Sequence, residues 1–274
     1  MNYLIYNNNL VTENNFTLSP SNRAFCYGDG LFETMVFREG KLLFLEDHLH
    51  RISEGLKQLD ISFPESLTQD FFHKNITQLV EQNNLHHNAR IKLQIWRKQG
   101  GLITPESTEA EYIVLASEYK KAQEVKENAF VSEKIKLNAS PLSKYKTLNF
   151  LPYIQAGIEK KKKNADEIIL LDLKGNIAEA SSSNLFWGKS DMLYTPSLET
   201  GCIEGIMRKQ IIRFCDSENI KVTEGLFPLS ELINAELIFT SNISGLSLIE
   251  NINGKKINTE YTLYQAIRIG LDLL

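Results

Sequence analysis

Ser143-Lys144-Tyr145-Lys146-Thr147-Leu148-Asn149 and, 33 residues past Lys146, the run Ile177-Ala178-Glu179-Ala180-Ser181-Ser182-Ser183-Asn184-Leu185-Phe186 decide how this chain is read. A lysine amine that is taken out of water has a lowered pKa and can form an imine with a carbonyl compound. Lys146 is expected to end a strand over residues 131–137 and to face a cavity. Glu179 is expected in a turn after a strand-like 176–178, where an exposed loop acid is the plainer alternative. Ser181 to Asn184 would offer hydroxyl and amide groups to a polar ligand.

Outward from these stretches, the pattern mixes strands and helices without regular βαβ alternation. Residues 3–6 read as a strand, Asn7 to Asn9 as a turn and the chain into Val11 as a second strand, and 33–37 with 41–44 read as a hairpin turned by Gly40. Leu49, Ile52 and Leu56 recur at helical spacing from about residue 46, and Phe71, Phe72, Ile76 and Leu79 mark a second helix over 67–83. Residues 90–96 alternate Ile91, Leu93 and Ile95 against Lys92 and Gln94, as a half-buried strand does. A polar segment at 119–127 divides an N-terminal domain, 1–118, from a C-terminal domain, 128–274. The second half reads as strand, lysine segment, helix over 151–162, strand over 167–171, turn at Lys174-Gly175-Asn176, and strands near 184–187 and 192–195. A helix over 206–219, a short strand, and strands near 235–240 and 246–249 complete it.

Of the 274 residues, 42% are hydrophobic and 23% charged, an ordinary composition for a globular chain. A net charge of −4 offers no basic face for nucleic acid. The basic run Lys160 to Lys163 reads as a solvated helix end favoured by the macrodipole. Cys26, Cys202 and Cys215 lack paired spacing, and Met1 to Tyr6 lack a signal-peptide pattern, so a cytoplasmic protein with no membrane partner is expected. Neither Cys-x-x-Cys nor His-Glu-x-x-His occurs, so no metal is expected. His48 and His50 are assigned capping or packing roles.

Three further places suit an anion. Arg51 in His48-Leu49-His50-Arg51 could fork onto phosphate oxygens, the alternative being a solvated helix face. Gly201-Cys202-Ile203-Glu204-Gly205-Ile206-Met207-Arg208 brings glycine to a helix start, where the N–H groups of Ile206 and Met207 can meet an anion. Thr240-Ser241-Asn242-Ile243-Ser244-Gly245 is a second candidate anion loop. An imine lysine, an acid for a ring nitrogen and a phosphate cradle together suggest pyridoxal 5′-phosphate (PLP).

These motifs, with Arg23-Ala24-Phe25-Cys26-Tyr27-Gly28-Asp29-Gly30-Leu31-Phe32-Glu33-Thr34, Asp166 to Asp172 and Tyr194-Thr195-Pro196, resemble the class IV aminotransferases in family order over nearly the whole chain. The resemblance implies an α+β, two-domain fold-type IV PLP enzyme. It has an α/β N-terminal domain, a barrel-like β-rich C-terminal domain with helices, and the cofactor in the cleft between them. It implies a homodimer in which a loop of one copy closes the site of the other. It puts the Schiff base on Lys146, the pyridinium partner on Glu179, and the phosphate on Arg51, the Ile206 and Met207 backbone and Asn242. Many relatives carry Thr or Ser where Asn242 stands.

Within the family, branched-chain aminotransferases resemble Lys-x-Gly-Gly-Asn after the lysine, one residue longer than Lys146-x-x-Asn149. D-amino acid aminotransferases have a tyrosine where Phe32 stands and an arginine near Leu102. The resemblance therefore implies 4-amino-4-deoxychorismate lyase-type chemistry on a small amino substrate, through an external aldimine, with pyruvate release and 4-aminobenzoate for folate. A branched-chain-like or broad-specificity transaminase is the alternative, and a non-catalytic binding protein on the same fold a remote one.

Overall fold

The computed structural model describes residues 2–85, 88–190, 192–257 and 262–271. They divide into two units, Met1–Lys120 with Tyr145–Asn149, and Lys121–Lys144 with Phe150–Leu274.

The first unit is built on β1 (Tyr3–Tyr6), β2 (Asn9–Thr12), α1 (Arg23–Tyr27), β3 (Gly30–Arg38), β4 (Lys41–Leu42), α2 (Leu45–Gln58), α3 (Gln69–Gln82), β5 (Asn88–Arg97) and β6 (Ala110–Glu118). Its sheet is antiparallel in the order β2-β1-β6-β5-β3-β4. β5 behaves as its alternation predicts, with Ile91, Leu93 and Ile95 fully buried. α2 buries His48, Arg51, Ile52 and Leu56, and α3 buries Phe71, Phe72, Ile76 and Leu79 after Thr68 Oγ1 caps it by accepting from the Phe71 N–H.

The lysine segment does not end the strand that reaches Leu137. Lys146 comes nine residues later, in the segment Tyr145–Asn149, which lies along β3 in the first unit. The Phe32 N–H donates to Lys146 O at 2.8 Å, the Leu148 N–H donates to Gly30 O at 2.9 Å, and Leu31 bridges Thr147. A five-residue stretch that pairs with a strand more than a hundred positions earlier has no local periodicity to announce it.

The second unit contains β7 (Val125–Lys126), β8 (Ala129–Leu137), α4 (Leu151–Lys162), β9 (Glu167–Asp172), β10 (Ile177–Ala180), β11 (Asn184–Lys189), β12 (Met192–Pro196), α5 (Ile206–Ser217), β13 (Val222–Gly225), α6 (Ser230–Ile233), β14 (Leu237–Asn242), β15 (Gly245–Ile249), β16 (Asn251–Ile252), β17 (Lys255–Lys256) and α7 (Thr262–Gly270). Its two sheets run β10-β9-β8-β16-β17 and β13-β12-β11-β14-β15-β7. β9 is buried on both faces: Ile169 and Leu171 pack with Ile177, Leu185 and Trp187, while Ile168 and Leu170 pack with Leu137, Ala156 and Ala178. A strand covered on both sides reads as the unbroken apolar run Ile168-Ile169-Leu170-Leu171.

Two expectations change here. The polar segment expected as a connector carries β7, which runs parallel to β15, and Lys126 is buried beside Glu167. A lysine buried by a partner 41 residues away looks like a surface residue to any hydropathy reading. Glu179 lies within β10 opposite Leu170 and is 2% exposed, so it is not a loop acid. The short α1 and α6, the β16–β17 hairpin and the nine-residue α7 were too brief for a periodic signal to single out.

Gly30 joins the sheet to the lysine segment, and a Cβ there would stand 2.3 Å from Ile95 O, a backbone atom that cannot swing aside. Gly30→Ala should therefore lose roughly 1–3 kcal/mol, the usual scale of overpacking. A lowered urea midpoint with an unchanged slope is the expected result.

Candidate cofactor site

In the first unit, Glu33 and Phe32 leave β3 on opposite faces. The Glu33 carboxylate accepts from Arg51 Nε at 2.7 Å and Nη2 at 2.6 Å and pairs with His48 Nδ1 at 2.7 Å, all three residues being buried. Burial alone would raise the Glu33 pKa, but Arg51 and then His48 outweigh it and hold it at about 2. The pKa of His48 is lowered, first by burial, with Glu33 opposing and Arg51 and Lys146 adding to the shift. Its Nε2 is buried without a hydrogen-bond partner. Arg51 is thus no solvated helix residue, and an anion there would share it with Glu33. On the other face of β3, the Nζ atoms of Lys146 and Lys92 lie 5.0 and 5.1 Å from the Phe32 ring centre. Burial, and next Arg90, lowers the Lys92 pKa.

In the second unit, three neutral donors converge on Glu179. They are the Tyr153 hydroxyl at 2.5 Å, the Ile203 N–H at 3.2 Å and Asn184 Nδ2 at 3.3 Å. The Tyr153 pKa is raised far above the phenol range, by burial first and then by the charge of Glu179. The same two causes, in the same order, push Cys202 up to about 12, which leaves its thiol inert. Asn184 Nδ2 also donates to Ile203 O at 2.7 Å, so one amide ties the acid to the loop before α5. Gly205 precedes that helix, and a Cβ on it would fall 1.9 Å from Asn184 Oδ1. No side chain caps α5 at Gly205, and by helix geometry the N–H groups of Ile206 and Met207 have no intrahelical acceptor.

Asn242 closes β14, and its Nδ2 donates to Ser183 Oγ at 3.0 Å and to Ser182 O at 3.3 Å while its Oδ1 accepts from the Ser244 N–H at 2.8 Å. Its amide therefore braces the turn after Glu179. Lys146 and Arg51 fall in the first unit, and Glu179, Ile206, Met207 and Asn242 in the second. The sequence does not mark Tyr153 or Lys92 as site residues, and it marks Ser241 only as part of the anion loop 240–245. Pro152 marks the first turn of α4 and could have drawn attention to Tyr153 beside it.

The class IV amino-transferase family model matches residues 30–252. That is most of the chain. The chain belongs to the class IV aminotransferases. It is 28% identical over 243 residues to the aminodeoxychorismate lyase of Vibrio harveyi, covering 84% of this chain and 87% of that one. It is 26% identical over 267 residues to the D-alanine aminotransferase of Listeria monocytogenes, covering 93% and 89%. The branched-chain aminotransferase of Thermoproteus uzoniensis has the same α+β fold at a TM-score of 0.89 and 22% identity, over 99% of this chain and 94% of the other. This class IV aminotransferase is an enzyme, and its cofactor is that of the family, pyridoxal phosphate.

Its own residues fit that group. Ser241 Oγ is buried without a hydrogen-bond partner. Ser241 stands directly opposite Asn184 across the β11–β14 ladder, on the sheet face where Asn184 meets Gly205. An orphaned hydroxyl beside an uncapped helix start suits a phosphate, and a buried carboxyl group steered by Tyr153, Asn184 and the Ile203 N–H suits a protonated ring nitrogen.

Glu33 also sets an acid response. Its folded pKa, about 2, lies below the ordinary 4.5, so its contribution is complete above pH 4.5 and is lost as pH falls toward 2. The 2.5-unit difference corresponds to about 3 kcal/mol. His48, with its own pKa lowered, adds loss in the same direction on acidification. Glu33→Gln in the cofactor-free protein should lower stability at pH 7, because the buried charge that Arg51 Nε and Nη2 donate to is removed, and should flatten the stability profile between pH 4.5 and 2. Urea midpoints measured across that range check both.

Proposed function

We propose that this class IV aminotransferase is a cytoplasmic, homodimeric enzyme of the 4-amino-4-deoxychorismate lyase type, releasing pyruvate and forming 4-aminobenzoate for folate. The observation that carries this reading is the length of the lysine segment. The Leu148 N–H is bonded to Gly30 O, and its side chain packs against Leu4, Trp96 and Ile113. One more residue between Lys146 and Asn149, as in the branched-chain pattern, would slip the pairing and turn Leu148 out of that cluster. The loop after β5 supports it from another side. Its tip is Leu102 and Ile103, both strongly exposed, where a carboxylate trap for small D-amino acids would need a cation.

When bound, pyridoxal phosphate supplies an aldehyde for an amine and a ring that accepts electrons. Lys146 Nζ is the amine that would hold the aldehyde, and it would then take and return a proton. Glu179 would keep the proton on the ring nitrogen, with Tyr153 and Asn184 holding Glu179 in place. Ser241, Asn242 and the Ile206 and Met207 N–H groups would hold the phosphate, and Arg51 is the first unit's candidate for the same group. Lys92, the second ammonium at Phe32, is suited to a substrate carboxylate. Leu102 and Ile103, and the exposed stripe Leu151, Ile154 and Ile158 on α4, suit burial against a second copy.

A branched-chain-like or broad-specificity transaminase would use the same lysine and acid and is the second reading. Aminodeoxychorismate, L-leucine with 2-oxoglutarate, and D-alanine with 2-oxoglutarate should be assayed side by side. Pyruvate and 4-aminobenzoate from the first, well above any keto-acid formation from the others, is expected. Turnover confined to L-leucine would replace the lyase reading with the transaminase one.

Borohydride reduction of the holoenzyme followed by peptide mapping should place the label on Lys146, and label on Lys144 would move the site. Glu179→Gln should keep near-normal cofactor occupancy but slow turnover by roughly tenfold or more, each 1.36 kcal/mol of lost transition-state stabilisation costing about a factor of ten. Unchanged turnover would give the ring nitrogen another partner.

A further inference from the structure

A buried ion pair in the second unit lies outside every role assigned so far. Glu167 is fully buried at the start of β9, and Lys126, on β7, is 8% exposed. Lys126 Nζ donates to Glu167 Oε2 at 2.6 Å and to Thr240 Oγ1 at 2.9 Å. Glu167 Oε1 accepts from Ser181 Oγ at 2.6 Å, from the Ser181 N–H at 3.2 Å and from the Ile168 N–H at 3.0 Å. The pair thus has two arms. One ends at Ser181, two residues past Glu179 and at the head of the turn that Asn242 braces. The other ends at Thr240, beside Ser241 and two residues before Asn242.

We infer that Lys126 and Glu167 are positioning residues that hold the ring-nitrogen acid and the phosphate hairpin at a set separation. Stability alone is a poor reason for such a pair, since two buried charges cost about as much to desolvate as they return, and apolar replacements often serve as well. What the pair does that apolar packing would not is direct five hydrogen bonds at chosen atoms on β9, the Ser181 turn and β14. Asn242 adds a second tie between the same two segments through Ser182 and Ser183. The two segments are therefore tied by one polar frame, anchored in a segment whose composition reads as a linker. This inference rests on the proposed roles of Glu179, Ser241 and Asn242.

The test separates the two arms. Thr240→Val detaches the phosphate arm and Ser181→Ala the ring arm, and each leaves the ion pair in place. Thr240→Val should weaken pyridoxal phosphate binding roughly 2- to 12-fold, the range of one hydrogen bond, with binding of pyridoxal, which lacks the phosphate, unchanged. Ser181→Ala should weaken both ligands alike and lower kcat. The double variant Lys126→Met/Glu167→Gln, which removes both charges together, should weaken pyridoxal phosphate more than either single variant. Ile76→Val, on α3, is the control: it should lower Tm and leave both affinities where they were. A merely structural pair would shift Tm in all four variants without the split between the two ligands, and that result would overturn the inference. Ser241→Ala keeps the two proposals apart. If it binds the cofactor as the wild type does, the site assignment itself fails. If it binds weakly while Thr240→Val and Ser181→Ala are normal, only the positioning role fails.

Discussion

The pairing of Tyr145–Asn149 with β3 is the constraint on which the rest depends. Two backbone hydrogen bonds and one bridge fix Lys146 in register with Phe32, so the Lys146 amine is placed by backbone pairing to β3. Because side chains alternate along a strand, the same nine residues of β3 turn Phe32 toward the lysine and Glu33 toward α2. A shift of one residue in β3 would exchange those faces and lose both the lysine's neighbour and the partner of Arg51.

Carboxylates paired with buried cations are the second organising element. Glu33 is shared by Arg51 and His48, Glu167 is held by Lys126, and Asp29 is shared by Arg23 and Arg97. In the Asp29 group, Arg23 Nη1 donates to the carbonyls of Leu102 at 2.6 Å and Gly100 at 3.1 Å, and Arg97 Nη1 donates to Ser107 O at 3.1 Å. The loop after β5 is held at tip and base by two guanidinium groups on one acid. Removing one member of such a group strands a charge in the interior, which is why these contacts select one arrangement strongly while adding little net stability.

The site uses backbone as much as side chain. Gly205 lets Asn184 lie against the start of α5, and through Asn184 the acid and the helix are one assembly. Tyr153 reaches the same acid from α4. The direction of the Glu179 carboxyl group is set by donors from a helix, a strand and a loop.

By itself the sequence determined most of the longer elements, the two amphipathic helices of the first unit, the alternating β5, and which side chains have the chemistry to form an imine, carry a ring proton or meet a phosphate. These are local properties, written in periodicity, in glycine before a helix and in the chemistry of single side chains. Tertiary structure alone decided that Lys146 pairs with β3, that Glu179 lies inside a strand, that Arg51 is bound to Glu33, that Asn242 braces a turn, and that Lys126 is buried. Each of these depends on a partner tens of residues away. A charged side chain carries no mark of whether an opposite charge will meet it, so hydropathy assigns it to the surface until the fold brings the two together.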